Sequence, residues 1–421
     1  MACFSLGATL SRSLLFLFMP LLLSHAVPGR SQAAGADTRL LEAAEREQAA
    51  VIASLKDMVH IESPSMDARG LARMADYTEK RLRELGAAVE RRKGTQGPAE
   101  IVIGRFSGTG SKRIMLLAHL DTVYPVGTLQ SQPYRIEANR IYGPGIADDK
   151  GGVALILHAL KILKEMGWRD HAGLTVVFNA DEETGSLGSG ELIAAMAAEH
   201  DYVFSCEPAP DQPDGVLLSA SGTGTVVMQV QGRASHAGAM PEKGRNALVE
   251  LAHQILQTED VAASVPGTQL NWTIARAGLV RNQIPERAYV TGDLRLMNPD
   301  GFDHIESALK ERVRNRHIPD TETSIAIERG RPPFVATPAG HELARKAQAI
   351  YAEIDRPLML IPGTGGATDA GFAARSGKAV VLESFGLAGF GYHARDEYIA
   401  VDSIVPRLYL MTRILREVAK P

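Results

Sequence analysis

Three short apolar runs in this chain stop on side chains that a hydrophobic core rejects. Ile114 to Ala118 leads into His119 and Asp121, Leu174 to Asn179 into Glu182 and Glu183, and Tyr202 to Ser205 through Cys206 into Glu207. Apolar runs of this length, separated by helical stretches at Lys150 to Met166 and Gly190 to Ala198, read as buried strands. Strands and helices in alternation pack as an α/β fold with a mostly parallel sheet flanked by helices. Ligands of such sheets bind outside the carboxyl ends of the strands, so the charged clusters converge there from distant positions.

The 421 residues exceed one ordinary core and favour two domains. From Asp37 to Leu85 apolar residues recur every three or four positions, as Leu40, Leu41 and Ala44, then Leu71, Met74, Tyr77, Leu82 and Leu85, which predicts an amphipathic helical opening. After Ser221 the strands alternate polar and apolar residues, and the order becomes strand, helix, strand, strand, helix, strand. The pieces are Thr225 to Gly232, Asn246 to Gln257, Leu270 to Gly278, Ala288 to Leu296, Gly301 to Arg314 and Thr323 to Arg329. That order is a ferredoxin-like α+β unit. From Phe334 the first style returns, with a helix from Gly340 to Ile354, a strand in AVVLESFG and a terminal helix holding Tyr409, Met411 and Ile414. The larger domain therefore spans 37–219 and 333–421, interrupted by an insert at 220–332.

Ahead of both, Arg12 precedes the run LLFLFMPLLL and the small residues around Ser24 and Ala26. This reads as a secretory signal over residues 1–26 and predicts export, to a periplasm. Pro20 interrupts the run, which is short of the roughly 20 apolar residues that a membrane span needs, so no stable membrane association is expected. Of two cysteines, Cys3 would leave with the signal, and Cys206 reads as a small buried hydrophobe. A net charge of -4 with scattered Lys and Arg excludes a nucleic-acid partner.

Asp148 and Asp149 follow the turn GPGIA, and His393 sits in a Gly-rich loop after AVVLESFG, adding to the three strand-end clusters. Burying so many carboxylates together costs several kcal/mol per unpaired ion unless cations neutralise them. Two histidines with three carboxylates suit zinc, and manganese or cobalt less tightly. His119, Asp148, Glu183, Glu207 and His393 are the candidate ligands. One grouping is His119, Glu183 and Asp148 against Glu207, His393 and Asp148, although the sequence does not fix which ligand serves which ion. Open positions on such a pair of ions indicate catalysis on a shared water, with Glu182 placed to take its proton. Asp121, two residues past His119, is the expected partner holding that imidazole. The other histidines, among them His60, His158, His171 and His253, lack this placement and read as surface or core residues.

The stretches LLAHLDTVY, YGPGIADDKGG, FNADEETGSLGS, Glu207-Pro208, GRASHAGAMPE, NQIP, DLR, RGRPPF, TGGATDA and GFGYH, in this order, resemble the aminoacylase and carboxypeptidase group of two-zinc peptidases. Within it the likeness is greatest to glutamate carboxypeptidases of the carboxypeptidase G type. The resemblance implies two Zn2+ per chain on the five residues above, with Asp148 bridging, a cis Asp148-Asp149 peptide and Glu182 as general base. It implies a homodimer joined through the insert, with His236 reaching the partner's site to stabilise an oxyanion. Arg295 would take the free α-carboxylate of a small-molecule or short peptide substrate, with Asn282 beside it, and Arg331 would stand near the side-chain pocket. The implied activity releases a C-terminal amino acid, foremost glutamate from folate-like or other N-acyl glutamates. A broader dipeptidase or N-acyl amino acid deacylase is the alternative, and retention of Glu182 argues against a non-catalytic zinc-dependent peptide-binding protein. The chain departs from the family pattern at Gly215, where those relatives carry a lysine, and at Ala367, where a glycine is usual.

Overall fold

The computed structural model describes residues 35–420; the secretory signal expected over residues 1–26 lies outside them. Two capped helices open the described chain. Asp37 accepts a hydrogen bond from the Leu40 N–H at the start of Thr38–Val59, and Asp67 accepts one from Gly70 at the start of Ala68–Leu85. No helix among the described residues is long and apolar enough to cross a membrane.

The central sheet has six strands in the order Ala88–Lys93, Glu100–Ser107, Gly173–Asn179, Arg113–His119, Tyr202–Ser205, Val380–Leu382. Only Glu100–Ser107 runs against the others, pairing antiparallel with both neighbours, so the expectation of a mostly parallel sheet holds. Along Arg113–His119 alternate residues enter different cores, because successive side chains of a strand point to opposite faces. Ile114, Leu116 and Ala118 join helices Thr38–Val59, Lys150–Glu165 and Ile404–Val418. Met115 and Leu117 join Gly190–Ala197 and Ala370–Ala374 on the other face. A strand buried on both sides reads as an unbroken apolar run, which is why the sequence located these.

Between Gly222 and Arg329 lies a four-stranded antiparallel sheet in the order Gln269–Ala277, Arg287–Leu296, Gly222–Gln231, Glu322–Arg329. Helices Ala247–Thr258 and Gly301–Arg312 close its core with Val226, Met228, Leu251, Leu294, Ile305 and Leu309. The strand and helix order matches the ferredoxin-like expectation.

A second, five-stranded sheet was not legible in the sequence: Arg135–Glu137, Arg140–Tyr142, Tyr398–Ala400, Ala388–Phe390, Ala209–Pro210. Its strands are two or three residues long, too short to show a period. It sets side by side the segments that lead to Asp148, to His393 and away from Glu207.

Candidate metal centre

His119 is the last residue of its strand, and its Nε2 lies 2.8 Å from Asp148 Oδ1 and 3.8 Å from Glu207 Oε1. His393 Nε2 lies 3.2 Å from Asp148 Oδ2 and 3.0 Å from Glu183 Oε2. The two oxygens of Asp148 thus face one imidazole each, the position of a bridging carboxylate. Candidate ligand atoms of His119, Asp148 and Glu183, and again of His119, Glu182 and Glu207, lie within 4.8 Å of one another. In direct contact His393 stands with Glu183 and His119 with Glu207, while the ligand atoms of His119, Asp148 and Glu183, the grouping offered from sequence, also come within 4.8 Å of one another.

Local structure explains each placement. Asp148-Asp149 is a cis peptide, and the Asp149 carboxylate accepts hydrogen bonds from Gly152 N–H at 3.1 Å and His119 N–H at 3.2 Å. It therefore caps helix Lys150–Glu165 and ties it to the end of the His119 strand. Position 152 must be glycine, since a Cβ there would stand 2.1 Å from the Cys206 carbonyl oxygen. After Gly173–Asn179 ends, a single 3-10 turn over Glu182–Thr184 lets consecutive glutamates reach the same site. Asp121 fixes that turn by accepting both the Glu182 and Glu183 N–H groups at 3.1 Å, and it also accepts the Ser65 hydroxyl at 2.7 Å. The Asp121 carboxylate and carbonyl stand 3.3 and 3.0 Å from His119 Nδ1. An N–H at Nδ1 leaves Nε2 with its lone pair toward the centre, the tautomer that a metal requires. His393 adopts a left-handed φ of 60°, uncommon outside glycine and found where surrounding structure enforces it.

The charges do not balance without a cation. Burial drives the carboxyls of Glu182 and Glu207 well above the usual glutamate range and raises that of Glu183. Burial opposes the Asp148 anion too, but hydrogen bonds from His119 and His393 outweigh it and lower its pKa. For His119 burial favours the neutral ring, yet Glu207, Asp121 and Asp148 raise it overall; contacts with Asp148 and Glu183 push His393 up to about 10. Glu183 Oε1 is buried with no partner among the described residues. An unsatisfied carboxylate oxygen inside a ring of nitrogen and oxygen donors fits a divalent ion.

Stripped of such ions, the protein is expected to lose stability as pH rises from about 4.5 to about 10. The three glutamates have folded pKa values above the unfolded 4.5, so the native state binds more protons above that pH and stability falls as they ionise. His393, raised from 6.5, acts in the same direction above that value. Saturating zinc, which takes deprotonated ligands, is expected to reverse the slope. Melting temperatures against pH, with chelator or with zinc, read both; a flat chelator curve contradicts the charge imbalance.

The cluster opens into a cavity of ≈ 790 Å³ whose lining includes Glu182, Arg295, Arg331, Ile361, Ala367 and Tyr392. Arg331, only 7% exposed, does not stand free for a substrate. Its Nη1 is 2.8 Å from Glu182 Oε1 and donates to the Ala367 carbonyl at 2.7 Å. Arg295 reaches the cavity with its fork on Asp293, at 2.8 and 3.0 Å. Gly215 lies in a strand pairing with Met359–Ile361, where an added Cβ would meet Ile361 Cδ1 at 2.9 Å, so Ile361 fills the space beside it.

Asn282, expected beside Arg295, neighbours His236 within the chain. Ser235–His236 pairs with Gln283–Ile284, and the Asn282 carbonyl accepts the Ala237 N–H at 2.9 Å. Both residues are exposed and neither lines the cavity. The His236 Nδ1 accepts N–H bonds from Gly238 and Ala239, which leaves Nε2–H as an outward donor. Sequence reasoning missed Glu397, four residues past His393, because it stands ahead of its short apolar strand, Tyr398–Ala400, and not past the end of one.

Comparison with protein-family models matches residues 115–417 to Peptidase family M20/M25/M40. Carboxypeptidase G2 from Pseudomonas sp. (strain RS-16) is 43% identical over 393 residues, covering 93% of this chain and 94% of that protein. Among solved structures, aminopeptidase PepT from Bacillus cereus ATCC 10987 superposes with a TM-score of 0.71 at 22% identity, over 89% of this chain and 99% of that one. The M20 family metallo-carboxypeptidase Sso-CP2 from Sulfolobus solfataricus gives 0.68 at 17% identity, over 87% and 98%. At those identities the structural likeness speaks for the fold alone.

Proposed function

The chain belongs to peptidase family M20/M25/M40, and on that premise we propose that it releases C-terminal glutamate from folate-like or other N-acyl glutamates. It is a metallo-carboxypeptidase, hydrolysing the amide bond to a C-terminal amino acid. The observation that carries the fuller reading is Asp148 lying between two imidazoles, with Glu182 and two arginines on the same cavity.

His119, Asp148, Glu183, Glu207 and His393 would hold two zinc ions, which supply Lewis acidity to the scissile carbonyl and acidify water. Glu182 takes the proton of the attacking water on its carboxylate and returns it to the departing amine nitrogen. Arg331 orients that carboxylate through its 2.8 Å contact and brings a buried positive charge to the side-chain end of the cavity. The guanidinium fork of Arg295 exchanges Asp293 for the substrate's α-carboxylate, which it can grip with two parallel bonds.

His236 and Asn282 complete the site of a second copy, in a homodimer formed through residues 220–332. Supporting this are the outward Nε2–H of His236 and exposed apolar residues of the insert, notably Leu279 at 95% with Val280 and Ile274. The leader run of residues 14–23 supports export to the periplasm. A panel of N-acyl glutamate, aspartate, alanine and leucine substrates tests the specificity. Glutamate is expected to give the highest kcat/KM, and equal rates on glutamate and alanine substrates would remove glutamate selectivity while leaving the hydrolase intact.

A further inference from the structure

The loop that presents Asp148 is organised by a carboxylate from another part of the chain. Glu397 is 1% exposed, and its Oε2 accepts the Gly145 N–H at 2.9 Å. Its Oε1 accepts the Ala147 and Asp148 N–H groups at 2.7 and 3.0 Å. Gly145, Ile146, Ala147 and Asp148 are all buried, so these amides have no recourse to water. The two carboxyl oxygens thus satisfy three backbone donors that burial would otherwise leave unpaired. The Glu397 backbone carbonyl also accepts the Gly143 N–H at 3.2 Å, and the buried Lys150 closes the loop by donating to the Pro144 carbonyl at 3.1 Å. Glu397 lies four residues past His393. On the other side of that segment, the Tyr124 hydroxyl, beyond His119 and Asp121, donates to the Ala394 carbonyl at 2.9 Å. One short stretch, 393–397, is thus bonded to the loops that carry His119 and Asp148 while itself carrying His393.

We propose that Glu397 is a positioning residue for the metal centre: by gripping the 145–148 backbone it sets where the Asp148 carboxylate stands between His119 and His393. The inference rests on the reading of those three residues as ligands. Glu397 itself touches neither the cavity nor a candidate ligand's side chain, so its effect passes through the loop.

The test uses full-length Glu397→Gln, which keeps size and one acceptor oxygen but turns an NH2 toward a backbone N–H. Zinc affinity of the chelator-stripped protein is measured by competition with a chromophoric chelator, beside the melting temperature of the same metal-free sample. The expected result is zinc binding weakened by about 10- to 100-fold, the usual effect of losing a group that orients a ligand. Affinity within about twofold of wild type would overturn the inference and reduce Glu397 to a folding role, whatever the melting temperature does. A wild-type protein that binds no zinc would overturn the ligand reading along with it. Should Glu397→Gln not fold, Glu397→Asp, one methylene shorter, is read on the same competition curve with the same two outcomes.

Discussion

Glu182→Gln is expected to keep its zinc and lose turnover by a factor of about 10² to 10⁴, the usual contribution of a positioned acid-base group. The substitution preserves shape, so the bond from Arg331 to position 182 and the N–H grip of Asp121 on the turn both survive. What disappears is a carboxylate able to accept a proton and return it. Metal analysis should therefore match wild type while kcat falls. Unchanged kcat would show that another group moves the proton, and the cavity lining offers Glu207 as the nearest rival. The same variant reports on the dimer. His236→Ala is expected to be poorly active because its partner's site lacks the Nε2–H donor, whereas mixing it with Glu182→Gln should restore activity that neither has alone. A mixed dimer holds one site with both Glu182 and His236. Absence of complementation after subunit exchange would place His236 outside catalysis in trans.

Asp148→Ala is the second large effect. Both imidazoles meet this carboxylate, one on each oxygen, so its removal deprives both ion positions at once. The variant is expected to lose zinc from both positions and, with it, the several kcal/mol of charge stabilisation that a bound ion supplies, a factor of at least about 10³ in rate. Glu183→Ala, by contrast, removes a contact of His393 alone and should leave part of the metal bound. Equal zinc loss in the two variants would contradict the bridging role.

The fold was legible where local pattern and burial agree. Met115 and Leu117 face one core and Ile114 and Leu116 the other, so their strand shows as an uninterrupted apolar run. The insert was legible for the opposite reason: Val226, Met228 and Val230 are buried while Thr225, Gln229 and Gln231 are exposed, a clean period of two. Ala88–Lys93 escaped notice because this edge strand, AVERRK, carries four charged residues and no apolar face. The candidate ligands His119, Glu183 and Glu207 stood out because charge just past a buried strand has few other uses. Their grouping did not, since it depends on which side of the sheet edge the 391–397 segment returns. Arg331 and Asn282 show the same limit: a motif marks a residue, while tertiary placement decides that Arg331 grips Glu182 and that Asn282 sits beside His236.

A crystal grown with zinc and measured at the zinc absorption edge bears most directly on the whole account. Two anomalous peaks about 3.5 to 4 Å apart are expected, both touching Asp148, one beside His119 and Glu207 and the other beside Glu183 and His393. A single peak, or a pair that leaves Asp148 on one side, would contradict it.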